Sequence, residues 1–329
     1  MQENYFHLEP EIHNIPLAET ILGAAERIRP YINHTPVLTS HTIDRITGAQ
    51  CFFKCENFQK VGAFKARGAT NAVFSLPASQ LENGVATHSS GNHAQALSWA
   101  ASLCNAEAHI VMPSNSSTVK VEAVKGYGGK ITFCEPTLIA RETTLQKVME
   151  FTGATEIHPY NNPDIVAGQA TAALELLSEM KNADILLAPV GGGGLLSGTA
   201  LAARYFSAGT IVIAAEPEQA NDAFLSFTQK RFIPAGKTDT IADGLRTSLG
   251  SLTFPIILRY VDSVVTVSEE SIIRAMQFVW ERMKIIIEPS SAVPVAALLE
   301  KKINARGKRI GIILSGGNVE LNNLPWNKK

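Results

Sequence analysis

Two local features of the sequence carry residue types that suit phosphate and carbonyl chemistry. Four consecutive glycines, Gly191, Gly192, Gly193 and Gly194, lie between a strand-like apolar segment and a helical pattern. Backbone N–H groups without side chains can close around a phosphate, and the start of a helix adds partial positive charge. Lys65 has the small or apolar neighbours Ala63, Phe64, Ala66 and Gly68, which favour a desolvated amine with a lowered pKa. Together these features indicate a phosphate-bearing aldehyde held as a Schiff base.

Short apolar segments alternate with helical patterns along most of the chain. The predicted strands are VATHSS, AHIVMP, KITFCE, EIHPY, DILLAPV, TIVIAAEP and IGIILS. The clearest helices between and after them are HAQALSWAASLC, TLQKVMEFTG, LLSGTALAARYF, SIIRAMQFVWERM and AVPVAALLEKKI. This alternation predicts an α/β fold with parallel-rich sheets flanked by helices. Glycine-containing loops follow VATH, LLAPV and IGIIL, and ligands bind beyond the carboxyl ends of parallel strands. We therefore expect these three loops to meet in one cleft.

The motifs FKARGA, SSGNHAQA, VGGGGLLSG and LSGGN occur in the order typical of fold-type II pyridoxal 5′-phosphate (PLP) enzymes. More narrowly, residues 34–321 resemble the serine/threonine dehydratase and serine racemase family. The resemblance implies a tryptophan synthase β-like fold with a small domain at residues 84–159. Residues 1–83 and 160–329 would form a large domain, with the cofactor between the two domains and a homodimer as the assembly.

The same resemblance assigns site residues. Lys65 would hold PLP as an imine and act as a base at the substrate Cα. The other cofactor residues would be Phe64, Asn92, Gly191, Gly192, Gly193, Gly194, Leu195, Glu288 and Ser315. The substrate carboxylate would be bound by Ser89, Asn92, His93 and Arg141. Because a neutral hydroxyl such as that of Ser315 does not favour protonation of the pyridine nitrogen, the ring would be a weak electron sink. Loss of a β-hydroxyl would then be faster than transamination.

A second set of residues suits a hard cation. Glu216 and Asp222 lie close together after a predicted strand, and oxygen ligands of this kind suit divalent ions. Taken alone they also fit two solvated loop acids. Metal-activated relatives have matching acids and use the carbonyl at the position of Ala220, so we expect Mg²⁺, or Ca²⁺ or Mn²⁺, in a structural or activating role.

Ser90 separates the possible activities. Racemisation needs acid–base groups on both faces of the substrate Cα, and Ser90 would serve the face opposite Lys65. The SSGNH motif resembles serine racemases, but some dehydratases on this branch share it. The preferred prediction is a PLP-dependent ammonia-lyase that converts L-serine or L-threonine to a 2-oxo acid and ammonia. Serine racemase with side dehydratase activity, and 3-hydroxyaspartate dehydratase, remain alternatives.

The composition limits the classes of binding partner and the cellular location that we expect. A formal net charge of −1 without a basic stripe gives no indication of nucleic-acid or membrane-surface binding. The N-terminal segment has no apolar run, and none of the four cysteines forms a CxxC pair. We therefore expect a cytoplasmic protein in which Cys51 and Cys55 are buried small hydrophobes. From another class, a two-lobed small-molecule binding protein would share the alternating pattern, but it would hold no imine.

Overall fold

The computed structural model describes residues 14–89 and 91–327, which form two β-sheets flanked by helices. The predicted fold class is confirmed. No helix in these ranges is long and apolar enough to cross a membrane.

The larger sheet has six strands in the order β1-β2-β10-β7-β8-β9, and only β1 runs antiparallel to its neighbour. Its strands are β1 (Val37–Thr39), β2 (Gln50–Cys55), β7 (Ile185–Pro189), β8 (Ile211–Pro217), β9 (Ser263–Val267) and β10 (Arg309–Leu314). Cys51 and Cys55 are free and buried on β2, as the sequence predicts.

The smaller sheet has four parallel strands in the order β5-β4-β3-β6. These strands are β3 (Val85–His88), β4 (Ala108–Pro113), β5 (Lys130–Cys134) and β6 (Thr155–Glu156). All four lie within residues 84–159, the range predicted for the small domain, although the domain limits themselves stay a prediction.

Helices cover both sheets because each presents an apolar stripe to the strands. They are α1 (Ala18–Ile28), α2 (His41–Thr47), α3 (Lys65–Ser75), α4 (Ala78–Leu81), α5 (Asn92–Ser102), α6 (Thr118–Gly126), α7 (Leu138–Thr152), α8 (Pro163–Met180), α9 (Gly194–Phe206), α10 (Asp222–Gln229), α11 (Thr253–Tyr260), α12 (Glu269–Met283) and α13 (Pro289–Leu299). Buried residues of α12 and α13 pack on one face of the larger sheet, and those of α8, α9 and α11 pack on the other. In the smaller sheet α5 and α7 contribute to separate apolar clusters.

Two predicted elements differ from the observed ones. The segment EIHPY is not a strand throughout, because β6 ends at Glu156 and the chain then turns. The helix predicted for AVPVAALLEKKI ends at Leu299, and Lys301 has a φ of +58°, which breaks helical geometry.

A buried ion network fixes the start of α3. The Arg67 guanidinium donates to both carboxylate oxygens of Glu56, at 2.7 and 2.8 Å, and to both of Glu175, also at 2.7 and 2.8 Å. Arg67 and Glu56 are fully buried, so their charges depend on these pairs for compensation. Because Glu175 lies on α8, the network fixes α3, whose first residue is Lys65, against that helix.

Candidate active site

The three glycine-containing loops lie at the carboxyl ends of β3, β7 and β10, and direct contacts join two of them. Asn92, the first residue of α5 directly after the first of these loops, donates from Nδ2 to the Glu288 carboxylate oxygens at 2.9 and 3.1 Å. Its Oδ1 accepts from Nδ2 of Asn318, in the loop after β10, at 2.9 Å. The smaller sheet is thereby joined to the larger one at the position where the sequence predicts a cleft.

Lys65 lies at the first position of α3. Its Nζ donates a hydrogen bond to the Pro159 carbonyl oxygen at 2.6 Å and lies 5.2 Å from the ring centroid of Phe64. Burial lowers the pKa of Lys65 from 10.5 to about 8. The amine therefore has a substantial neutral fraction near physiological pH, which both imine formation and base catalysis require.

The glycine run connects β7 to α9 and is buried throughout. Gly193 has a φ of +89°, in the left-handed region that favours glycine. A Cβ on Gly191 would lie 2.8 Å from the Cα of Leu245, and one on Gly192 would lie 2.3 Å from the Tyr160 ring. Side chains are therefore excluded here, so the backbone at the start of α9 carries no side chains of its own over Gly191 to Gly194. Leu195, the second residue of α9, is also buried.

Two further predicted cofactor residues are Ser315, directly after β10, and Glu288, directly before α13. The Ser315 hydroxyl is 3.1 Å from that of Ser291, and the backbone carbonyl of Ser315 accepts the N–H of Phe64 at 2.9 Å. Burial raises the pKa of the Glu288 carboxyl to about 7, with Asp243 adding to the effect and Asn92 opposing it. Ser315 is 2% exposed, so its hydroxyl is shielded from water.

The predicted substrate residues occupy different environments. Ser89 is half-buried, and its Oγ accepts the N–H of Gly91 at 3.3 Å. His93 is buried, and its Nε2 donates to the Ile157 carbonyl at 2.9 Å, which leaves Nδ1 without a proton. Arg141 is half-buried on α7, and its buried Nε has no hydrogen-bond partner within the described residues. Ser90, the predicted second acid–base residue, lies outside the residues that the structure describes.

Three residues near Lys65 received no catalytic or binding role from the sequence. The ring centroids of His88 and His158 are 6.2 Å apart, and that of Tyr160 is 4.6 Å from His158 at 90°. Burial lowers the pKa of both His88 and His158 to about 4. The sequence could have indicated these histidines through their positions. His88 ends β3 and His158 follows β6, and ligands bind at the carboxyl ends of parallel strands.

The predicted metal residues lie at the end of β8 and in the segment that follows it. Glu216 accepts the N–H groups of Ala223 and Phe224 at 2.9 and 2.8 Å, while both carboxylate oxygens of Asp222 are buried without a hydrogen-bond partner among the described residues. Burial raises the pKa of Glu216 to about 9 and that of Asp222 to about 7. Ala220 is buried in the intervening 3₁₀ helix Glu218–Ala220. No group of three or more His, Cys, Asp or Glu side chains within residues 14–89 and 91–327 could hold a metal ion.

Comparison with known proteins matches residues 28–316 to the family described as "Pyridoxal-phosphate dependent enzyme". The chain is 49% identical to a beta-hydroxyaspartate dehydratase of Paracoccus denitrificans over 95% of this chain and 99% of that protein. It superposes on the crystal structure of serine racemase from Dictyostelium discoideum with a TM-score of 0.89 and 47% identity, covering 94% of this chain and all of that one. The crystal structure of a T.th. threonine deaminase gives a TM-score of 0.88 and 39% identity, covering 93% of this chain and 99% of that one.

Proposed function

Because the chain belongs to the family of pyridoxal-phosphate dependent enzymes, we propose that it converts L-serine and L-threonine to 2-oxo acids and ammonia. The observation that carries the proposal is the Lys65 amine, which donates to the Pro159 carbonyl at 2.6 Å and whose pKa desolvation lowers to about 8. This amine can serve as a base at neutral pH, as the removal of a Cα proton requires.

The residues present fit the cofactor. The backbone N–H groups of the glycine run at the start of α9 would bind its phosphate, and Lys65 would hold its aldehyde carbon. The remaining contacts would come from Phe64, Asn92, Leu195, Glu288 and Ser315. When bound, pyridoxal phosphate supplies the conjugated ring that draws negative charge from the substrate Cα.

The side chains of the protein then manage protons and charge. Lys65 takes the Cα proton, and the C–H electron pair forms a double bond to Cβ. The β-hydroxyl leaves as water with the proton that the Lys65 ammonium returns, so the lysine ends the step as the neutral amine. The released enamine reacts with water to give the oxo acid and ammonia. The neutral Ser315 hydroxyl, paired with that of Ser291, limits the charge that the ring accepts and favours this elimination.

The contacts of His93 favour a particular way of binding the substrate carboxylate. Since its Nε2 donates to Ile157, the ring presents only an acceptor at Nδ1 and would repel a carboxylate. We propose that backbone N–H groups at the start of α5, with the Ser89 hydroxyl, bind the carboxylate instead.

Arg141 favours a second candidate, dehydration of 3-hydroxyaspartate. Its buried Nε lacks a partner among the described residues, and a cation in that position calls for an anion. A carboxylate on the substrate Cβ would supply one, and the dehydratase of Paracoccus denitrificans supports this candidate at 49% identity.

The variant Arg141→Ala tests the second candidate. A hydrogen bond to a charged group contributes about 1.5–3 kcal/mol, so we expect kcat/KM for 3-hydroxyaspartate to fall roughly 10- to 150-fold. The kcat/KM for L-serine should change little. If both substrates lose equally, Arg141 binds the carboxylate that they share, as the resemblance implies.

Serine racemisation is proposed as an accompanying activity, supported by the 48% identity to the serine racemase of Dictyostelium discoideum over 92% of this chain and 95% of that one. It depends on the sequence-based assignment of Ser90 as the second acid–base residue.

We further propose that Mg²⁺, or a similar divalent ion, binds at Glu216, Asp222 and the Ala220 carbonyl. Two buried carboxyls, one with no hydrogen bonds to its oxygens from the described residues, support this assignment.

From the family resemblance and the sequence we also propose that the chain forms a homodimer and is cytoplasmic. Its small domain would span residues 84–159 and its large domain the remaining residues.

Parallel assays test the main proposal. Purified protein loaded with pyridoxal phosphate is given L-serine, L-threonine and 3-hydroxyaspartate, and the oxo acid, ammonia and D-serine are measured. We expect ammonia from L-serine or L-threonine, and none from the Lys65→Ala variant. Ammonia release from 3-hydroxyaspartate alone would replace the main proposal with the second candidate.

A further inference from the structure

One peptide group in the active site is held at both ends. The carbonyl of Pro159 accepts from Lys65 Nζ at 2.6 Å, and the N–H of Tyr160, in the same peptide unit, donates to His158 Nδ1 at 3.3 Å. Asn161 N–H donates to the same nitrogen at 2.9 Å. Because a peptide unit is planar, the hydrogen bond at one end restricts the direction of the other. The His158 ring therefore controls where the acceptor of the Lys65 amine lies.

These contacts fix the tautomer of His158. Two N–H groups point at Nδ1, so this nitrogen must carry a lone pair and the ring proton must be on Nε2. Burial lowers the pKa of His158 to about 4, and nearby His88 and Lys65 add to the effect. The ring is therefore neutral at physiological pH and keeps its acceptor.

The surrounding contacts connect this turn to the rest of the site. The Ile157 carbonyl accepts from His93 Nε2 at 2.9 Å, which holds the chain just before the turn. The Tyr160 ring packs on His158 and covers Gly192, where a Cβ would lie 2.3 Å away. Residues 157–160 therefore contact the helix that follows β3, the Lys65 amine and the glycine run.

We propose that His158 is a positioning residue that acts on Lys65 through the Pro159–Tyr160 peptide. Its Nδ1 fixes the turn of residues 158–161. The Pro159 carbonyl then holds the Lys65 amine in position while the amine has no covalent bond to the cofactor. There the amine can bond to pyridoxal phosphate and, during turnover, receive the Cα proton. The proposal rests on Lys65 as assigned in the proposed function, and it does not depend on which hydroxy-amino acid is the substrate.

Two variants separate the nitrogens of the ring. In His158→Asn, the side-chain Oδ1 lies close to the position of Nδ1 and can accept the same N–H groups. The chain offers a precedent nearby, since Asn162 Oδ1 accepts from the N–H groups two and three residues later, at 2.8 and 3.1 Å. In His158→Gln, the longer amide reaches the position of Nε2 and leaves no acceptor at that of Nδ1.

The main measurement is the rate at which the cofactor-free full-length chain captures pyridoxal phosphate as a borohydride-reducible imine. Melting temperature and circular dichroism are recorded for each variant, so that capture is compared among folded proteins. We expect the Asn variant to stay within about threefold of the wild type. The Gln variant should be slower by roughly 10- to 100-fold, since misplacing a reactive group by about 1 Å costs up to that factor.

Other results would overturn the proposal. Normal capture by the Gln variant with slow capture by the Asn variant would show that the Nε2 proton, and not the Nδ1 acceptor, positions Lys65. Equal, normal capture by both would show that the ring does not position Lys65, and slow capture by both would show that a restored acceptor is insufficient. Capture that follows the expected order without ammonia release from any tested amino acid would refute the proposed function while supporting the role of His158.

Discussion

The lowered pKa of Lys65 can be tested without any substrate. Attack on the cofactor aldehyde requires the neutral amine, so capture of pyridoxal phosphate by the cofactor-free chain follows the neutral fraction. With the pKa of Lys65 at about 8 instead of 10.5, that fraction at pH 7.5 is about one quarter instead of about one thousandth. Burial should thus increase the reactive amine by about 240-fold at this pH.

The assay follows imine absorbance after rapid mixing between about pH 6.5 and 10. The Lys65→Ala variant, which retains the other lysines, supplies the background at each pH. We expect the Lys65-dependent rate to rise through a midpoint near pH 8 and then level off. A rate that keeps rising about tenfold per pH unit beyond pH 9 would show that the amine has its ordinary pKa, and the desolvation argument would fail.

Two further predictions concern the cation and Ser90. Mg²⁺ should raise the melting temperature more at pH 8 than at pH 6. The pKa values of Glu216 and Asp222 are raised to about 9 and about 7, so rising pH destabilises the metal-free fold. Rising pH also leaves fewer protons to compete with the ion for the two carboxylates. Asp222→Asn should remove this effect, and a wild-type melting temperature indifferent to chelator and Mg²⁺ at pH 8 would exclude the site. Ser90→Ala should slow the interconversion of L- and D-serine by ~10²–10⁴-fold while dehydration of L-serine falls far less, as measured in one purified variant. Equal losses would make Ser90 a substrate-positioning residue.

Local sequence patterns were sufficient to predict the three strand–glycine junctions of the candidate site. Each of β3, β7 and β10 is a short apolar segment followed directly by glycine and polar residues. Such a junction depends on a few adjacent residues, so it can be recognised without knowing the tertiary structure. Because β7 and β10 are parallel neighbours, their junctions lie at the same edge of the larger sheet, and the Asn92–Asn318 hydrogen bond joins the junction after β3 to the one after β10.

The turn after β6 could not be predicted in the same way. Ile157 and Tyr160 have side chains that favour strands, and the sequence therefore predicts a strand through them. In the structure the carbonyls of Ile157 and Pro159 instead accept hydrogen bonds from His93 and Lys65, partners 64 and 94 residues away. The proline was the available warning, since proline within an apolar run argues against a central strand. The pairing of Arg67 with Glu175, 108 residues apart, was likewise invisible to local patterns.

The protonation states around Lys65 determine how its titration must be measured. Burial holds the pKa of His88 and His158 at about 4 and that of His93 well below its usual range, so these rings do not titrate between pH 6.5 and 10. The Glu288 carboxyl, which accepts from Asn92, is a group of the candidate site that can interfere, because burial raises its pKa to about 7. The variant Glu288→Gln removes that titration while preserving an acceptor for the Asn92 amide. A capture midpoint that stays near pH 8 in this variant belongs to Lys65, whereas a midpoint that disappears belongs to the carboxyl.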